Sequence, residues 1–221
     1  GVFYVSDELG VKSAADLVKL RGQNLKYGSQ GATSLDLVPL LAMDLLDIDI
    51  KPVFGMKGRG AGRLAFERGE VNVDYQTSSG FLKKVAPLVK EGSAVPIMTW
   101  GVLNADGQLE RDPTFPDLPH FAEVYEMVHG KKPEGAAFDV WRAFFVAGFA
   151  AQKGIFLPKG TPDDVVEAWR DAVAKTVDSD EFKQRSAKVL GLYPQAVYGD
   201  AVGAFDAAMS ISEADREWVR Q

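Results

Sequence analysis

The sequence predicts an α/β fold built on largely parallel sheets, and three observations lead there. Short apolar strands alternate with helix-period segments along most of the chain. Turn residues and capping residues stand at the boundaries between them. The composition is that of a globular protein: 221 residues, 46% hydrophobic and 25% charged. A chain of this length suits one large domain or two small lobes and can bury roughly 70% of its unfolded surface.

In chain order, Val2 to Val5 reads as an apolar strand. Ser13 with Asp16 resembles a capping box opening a short helix through Arg21. Leu25 to Tyr27 is a strand running into Gly28 to Ser34, and a helix follows to Leu46 with Leu37, Leu40, Leu41 and Leu45 on one stripe. Pro39 must lie near its first turn. Ile48 to Phe54 alternates as a strand and meets the glycine-rich stretch Gly55 to Gly62, before a helical turn or two over Arg63 to Arg68. Glu70 to Gln76 is the next strand, and Thr77 to Gly80 opens a helix to Lys90. Val95 to Trp100 is a further strand, followed by a Pro- and Asp-rich connection over residues 101–119 and a helix to Val128. Phe138 to Ala151 predicts a buried helix or a helix–strand pair, Ile155 to Leu157 a short strand. Thr161 as cap, Pro162 at the first helical position and Asp163 and Asp164 behind them mark a strong helix start. Ser179 caps another helix, Leu192 to Tyr198 reads as a strand, and Asp200 caps a final helix.

The composition also excludes functions. With 25 basic and 31 acidic residues, net charge −6, the chain does not suit general nucleic-acid or anionic-membrane binding. Its longest uncharged stretch, Gly92 to Ala105, is broken by Pro96 and is too short for the ~20 apolar residues of a membrane span. Without cysteine there is no thiolate nucleophile, disulfide framework or zinc finger. His120 and His129 are the only histidines and lack metal-ligand spacing, so no metal or cofactor is expected. The start at Gly1 shows no basic n-region and does not read as a signal peptide.

Three strand–loop–helix joints remain as candidate sites: Gly28 to Ser34, Gly55 to Gly62 and Thr77 to Gly80. In open α/β sheets ligands bind beyond the carboxyl ends of strands, where helix N-termini offer free N–H groups and positive potential. A hydrogen bond to a charged group is worth about 1.5–3 kcal/mol. Three or four such contacts, before ordering costs, approach the ~8 kcal/mol of a micromolar complex. A small carboxylate or phosphate is the natural guest, and no catalytic group is needed. The middle joint carries five basic residues from Lys51 to Arg68 against Glu67 alone. Lys57 or Arg59 could grip an anion, or the stretch could be a solvated helix face with Arg63 and Glu67 at i, i+4. The nucleotide-binding patterns GxxxxGK[ST] and GxGxxG are absent.

Leu25-Lys26-Tyr27-Gly28-Ser29 followed by a Gly/Ser/Thr loop resembles the tripartite tricarboxylate transporter receptors, periplasmic solute-binding proteins of the TctC or Bug type. Met56-Lys57-Gly58, Gly69-Glu70-Val71-Asn72-Val73, Phe115 to Pro119 with Phe121-Ala122-Glu123, and Pro158 to Pro162 match the family's motifs in order. The resemblance implies a two-lobed, periplasmic-binding-protein-like fold of type II (a Venus flytrap). It implies a periplasmic, monomeric receptor without enzymatic activity, binding a small carboxylate between its lobes and delivering it to membrane subunits of a tripartite transporter. The expected ligand contacts are Gly28, Ser29, Gly31, Thr33, Ser34, Lys57, Gly58, Arg59, Gln76, Thr77 and Ser78. Two positions depart from the family: Asp36 replaces a histidine and Gln76 an aspartate. An aspartate facing the cleft would disfavour anions, so Asp36 is expected to point elsewhere or to select an amino or cationic group. Because the family carries a further N-terminal segment, residues 1–142 are expected to form one lobe and 143–221 part of the other, incomplete one. The alternative reading is an α/β enzyme with Lys57 or Arg59 as electrostatic clamp on an anionic substrate.

Overall fold

Alternating side chains on one strand set up two cores. In β1 (Val2–Ser6), Phe3 and Val5 face one layer and Val2 and Tyr4 the other, all fully buried. Both faces of the sheet are therefore covered, which requires helices on each side. The computed structural model describes residues 1–32, 35–104, 107–150, 154–209 and 211–220.

The sheet also contains β2 (Leu25–Gly28), β3 (Ile50–Val53), β4 (Val73–Gln76) and β5 (Ala94–Thr99), in the order β3-β2-β4-β1-β5. β2 runs parallel to β3 and β4, whereas β1 is antiparallel to β4 and β5. The expectation of a largely parallel sheet is thus corrected to a mixed one. Alternation of strands and helices implies crossovers, but β1 is followed by 3-10 turns (Asp7–Leu9 and Ala14–Leu20) and does not lie beside β2. Pro52 in β3 and Pro96 in β5 fall on the two edge strands, where a missing N–H is tolerated. A second, two-stranded sheet pairs β6 (Val102–Leu103) with β7 (Leu109–Glu110) inside the stretch read as a plain connection.

One layer is made by the second 3-10 turn, α1 (Leu37–Leu45), α5 (Phe121–His129) and α6 (Ala136–Phe145). Leu17, Met43, Phe121 and Trp141 pack there against Tyr27, Tyr75 and Trp100. The opposite layer is α2 (Arg59–Glu67) and the helical run of α3 (Ser78–Gly80), a π-helical stretch (Phe81–Val85) and α4 (Ala86–Glu91). Phe66, Phe81 and Val85 close over Val2 and Tyr4.

Pro39 lies in the first turn of α1, as its missing N–H demands. Ser13 makes no side-chain cap; the Asp16 carboxylate instead accepts from the Lys12 N–H and from Lys19. A second π-helical stretch (Val146–Ala150) extends α6.

The described residues between 154 and 220 are mostly exposed, with Gly191 buried. They form α7 (Asp163–Asp178), α8 (Asp180–Val189), α9 (Tyr198–Met209) and α10 (Glu213–Arg220). The strands expected at Ile155 to Leu157 and Leu192 to Tyr198 are not strands; those residues have no sheet edge to pair with, and Pro194 removes a ladder donor. Pro162, not Thr161, is the N-cap of α7, because the Thr161 hydroxyl donates to the Pro158 carbonyl. Ser179 caps α8 through the Phe182 N–H. Asp200 lies in the first turn of α9, and α10 follows that helix.

Candidate functional site

The parallel strands β2, β3 and β4 end side by side, so the turns that follow them meet at one edge of the sheet. The first two turns interlock through the main chain: Ser29 N–H donates to the Val53 carbonyl at 2.9 Å and Met56 N–H to the Ser29 carbonyl at 3.0 Å. Gly28 and Gly62 approach so closely that a side chain on Gly28 would lie 3.2 Å from the Gly62 Cα. Here glycine is needed for proximity.

Arg59, the first residue of α2, ties the ends of β2 and β4 to the start of α2. Its Nη1 donates to the Gly28 carbonyl at 2.8 Å and to Asp36 Oδ1 at 3.2 Å. Nη2 is paired with Asp74 and also donates to the Tyr75 carbonyl at 3.1 Å. The guanidinium lies 4.4 Å from the Tyr75 ring centroid and 5.1 Å from that of Tyr27, within cation–π range. Both carboxylates are fully buried. Asp36 also accepts from the Ser29 hydroxyl at 3.1 Å and the Gln30 N–H at 2.6 Å, and Asp74 accepts from Tyr4 and from Gln76 Nε2. Burial holds the Tyr4 and Tyr27 hydroxyls above the usual tyrosine range, so both stay protonated. Gln76 closes the circuit by donating to the Arg59 carbonyl at 2.8 Å.

The expected contacts therefore divide. Gly28, Ser29, Gly58, Arg59, Gln76, Thr77 and Ser78 are brought to one edge. Thr33 and Ser34 lie outside the described residues. Gly31 N–H turns back onto Ser29 Oγ at 3.2 Å. Lys57 is exposed, leaving its ammonium in solvent, whereas the Arg59 guanidinium is held by two carboxylates. Thr77 caps its own helix through Gly80 N–H at 3.3 Å, and the Ser78 hydroxyl lies 2.5 Å from that of Tyr193. What this edge presents is chiefly the main chain that opens α2 and the Ser78 helix, where Ala61 N–H already donates to the Gly58 carbonyl at 3.0 Å and Gly80 N–H to Thr77 Oγ1 at 3.3 Å. Asp36 is fully buried with Arg59 as its counter-ion.

Asp74 escaped the sequence reading. Its signal was a charge in the middle of a four-residue strand buried throughout, which is costly unless paired. Tyr193 and Asp112 escaped it too, and no local pattern marks them. The histidines stand apart: His129 Nε2 is 2.9 Å from the Leu45 carbonyl, and His120 Nε2 is 3.7 Å from Glu123. A separate open cavity of about 410 Å³ is lined by His120, Glu123, Glu126, Lys132 and Arg142, none of them from the three turns. Among the described residues no cluster of acids and histidines could hold a metal ion, and no helix is long and apolar enough to cross a membrane.

No family model and no curated protein matches this chain. Among solved structures, "R. palustris Rpa4515 with adipate" is similar to it at a TM-score of 0.63 and 21% sequence identity. The match covers 99% of this chain and 62% of that chain, so this chain spans about three fifths of its neighbour's length. At this identity the likeness speaks to architecture: the fold is mixed α/β and periplasmic-binding-protein-like.

Proposed function

We propose that this chain is the greater part of a solute-binding receptor that holds a small carboxylate at the carboxyl edge of β2, β3 and β4 without chemical change. The observation that carries the reading is that β2, β3 and β4 end side by side, with Arg59 bonded to the Gly28 and Tyr75 carbonyls, to Asp36 and to Gln76. The similar structure that contains adipate supports the carboxylate class. The resemblance to tripartite tricarboxylate transporter receptors supports a periplasmic, monomeric protein whose acceptors are membrane subunits.

Residues 1–142 are proposed as one lobe and 143–221 as part of the second. The exposure of Ile155, Phe156, Trp169, Leu192 and Met209 supports this division. Lys57 is exposed at this edge, and together with Gly28, Ser29, Gly31, Gly58, Arg59, Gln76, Thr77 and Ser78 it is proposed to build or line the site.

The test is a thermal-shift series of dicarboxylates of increasing length, adipate included, with tricarboxylates and a nucleotide alongside. Stabilisation by one or more carboxylates is expected. A response to the nucleotide alone would overturn the reading.

A further inference from the structure

The segment between α8 and α9 meets the sheet lobe at one built crossing. Gly191 has φ +107°, and a side chain there would come within 2.6 Å of Thr114 Oγ1. Only glycine allows that approach. Leu192 N–H donates to the same Thr114 Oγ1 at 2.8 Å. Next in line, the Tyr193 hydroxyl donates to Asp112 Oδ2 at 2.5 Å and lies 2.5 Å from Ser78 Oγ. Asp112 is fully buried and is itself fixed by Thr114 N–H at 2.9 Å.

The proton directions in this chain are determined. A carboxylate only accepts, and a phenol has one proton. Tyr193 gives its proton to Asp112, so its oxygen must accept from Ser78. Burial and the contact with Asp112 hold the Tyr193 hydroxyl above its ordinary range, so that proton stays in place. The Ser78 hydroxyl proton is therefore committed to Tyr193 and is not offered to a ligand. Ser78 Oγ also accepts from the Gly1 ammonium at 3.2 Å, and its contact with Tyr193 links the turn that opens its helix to a residue more than a hundred positions away.

We propose that Tyr193 is a positioning residue of the carboxylate site: through Ser78 it holds the Thr77–Gly80 turn and the Gly191–Tyr193 segment as one mechanical unit. The proposal rests on the reading of this edge as the binding site only in what the turn is for. The coupling itself is measurable without ligand.

The experiment is hydrogen exchange by mass spectrometry on the unliganded protein and its Tyr193→Phe variant, with Thr114→Val as a second variant. Tyr193→Phe is expected to raise exchange at least tenfold both at the Leu192 N–H and at the Gly80 and Phe81 N–H groups, which bond back to Thr77. Thr114→Val is expected to release Leu192 alone. Faster exchange confined to residues 191–195 in Tyr193→Phe would overturn the proposal, as would no change on either side. Where wild-type protein binds a carboxylate, Tyr193→Phe and Ser78→Ala should each weaken it about tenfold and the double variant no more than either, with Ser78→Thr restoring affinity. Additive losses would overturn the coupling. If no carboxylate binds, the receptor reading fails, while the exchange result still decides the coupling.

Discussion

Arg59 Nη1 lies 3.2 Å from Asp36 Oδ1, joining the first residue of α2 to the residue before α1 across the ends of β2 and β3. Neither group could be buried here alone. With Asp74 on its other side, the Arg59 guanidinium is held between two buried carboxylates.

Replacing Arg59 by Met keeps most of the apolar stem but leaves Asp36 and Asp74 without a counter-ion. Breaking a buried pair in this way costs about 3–5 kcal/mol. Urea unfolding should show that loss, with Arg59→Lys in between because an ammonium cannot serve two carboxylates and two carbonyls in a plane. A loss under ~1 kcal/mol for Arg59→Met, the size of an exposed ion pair, would show that the pairing is not needed.

The same residue marks what was legible in the sequence. That the turns after β2, β3 and β4 share an edge follows from strand ends and capping chemistry, and residues 28–32, 55–62 and 77–80 follow neighbouring strand ends in the structure. The basic stretch around Arg59 left open whether its charges face ligand or solvent. The partner that settles Arg59, Asp74, lies in another strand, and no local pattern announces such a pairing. The antiparallel β1 was equally hidden, because strand direction depends on where the chain re-enters the sheet. The failed strands at 155–157 and 192–198 show the converse: apolar runs read as strands, yet a strand exists only beside a neighbour.

Gly62→Ala tests the close approach of β2 and α2. The added carbon would meet the Gly28 carbonyl oxygen at 3.1 Å, Arg59 Nη2 at 3.1 Å and Asp74 Oδ1 at 3.3 Å. The carbonyl is backbone and cannot swing aside, so overpacking should cost about 1–3 kcal/mol. Gly60→Ala, whose side chain meets nothing within 4 Å, should be neutral or stabilising by about 0.4–1 kcal/mol. Thermal unfolding of the two variants side by side reads the difference.

His120 gives the fold a pH dependence of definite sign. Burial pushes its imidazole below its ordinary 6.5, against the opposing pull of Glu123. A group that resists protonation when folded contributes stability that is complete above pH 6.5 and falls as pH drops below it, since the unfolded chain then binds the extra proton. Glu123 adds a loss further down: it is held below its ordinary 4.5 through Arg111 and the His120 N–H, despite its partial burial. Melting temperature should therefore fall between pH 7 and 5, and His120→Asn should flatten that part of the curve. An unchanged slope in His120→Asn would assign the acid loss to other groups.

Asp36→Asn separates the stability of the site from its ligand preference. One guanidinium between two carboxylates leaves a formal charge of −1 beneath the turns, and the substitution removes it. Stability should fall, because Arg59 loses half its compensation and the Ser29 hydroxyl and Gln30 N–H lose a charged acceptor, each such bond being worth about 1.5–3 kcal/mol. Carboxylate affinity should move the other way. A unit charge within several ångströms in a partly screened site is worth about 1–2 kcal/mol, a gain of roughly five- to thirtyfold in binding. Isothermal titration with adipate and with an amino-substituted dicarboxylate measures both, and the gain should be larger for adipate, whose groups are all anionic. Equal affinities in wild type and variant would place the ligand's charge away from this edge.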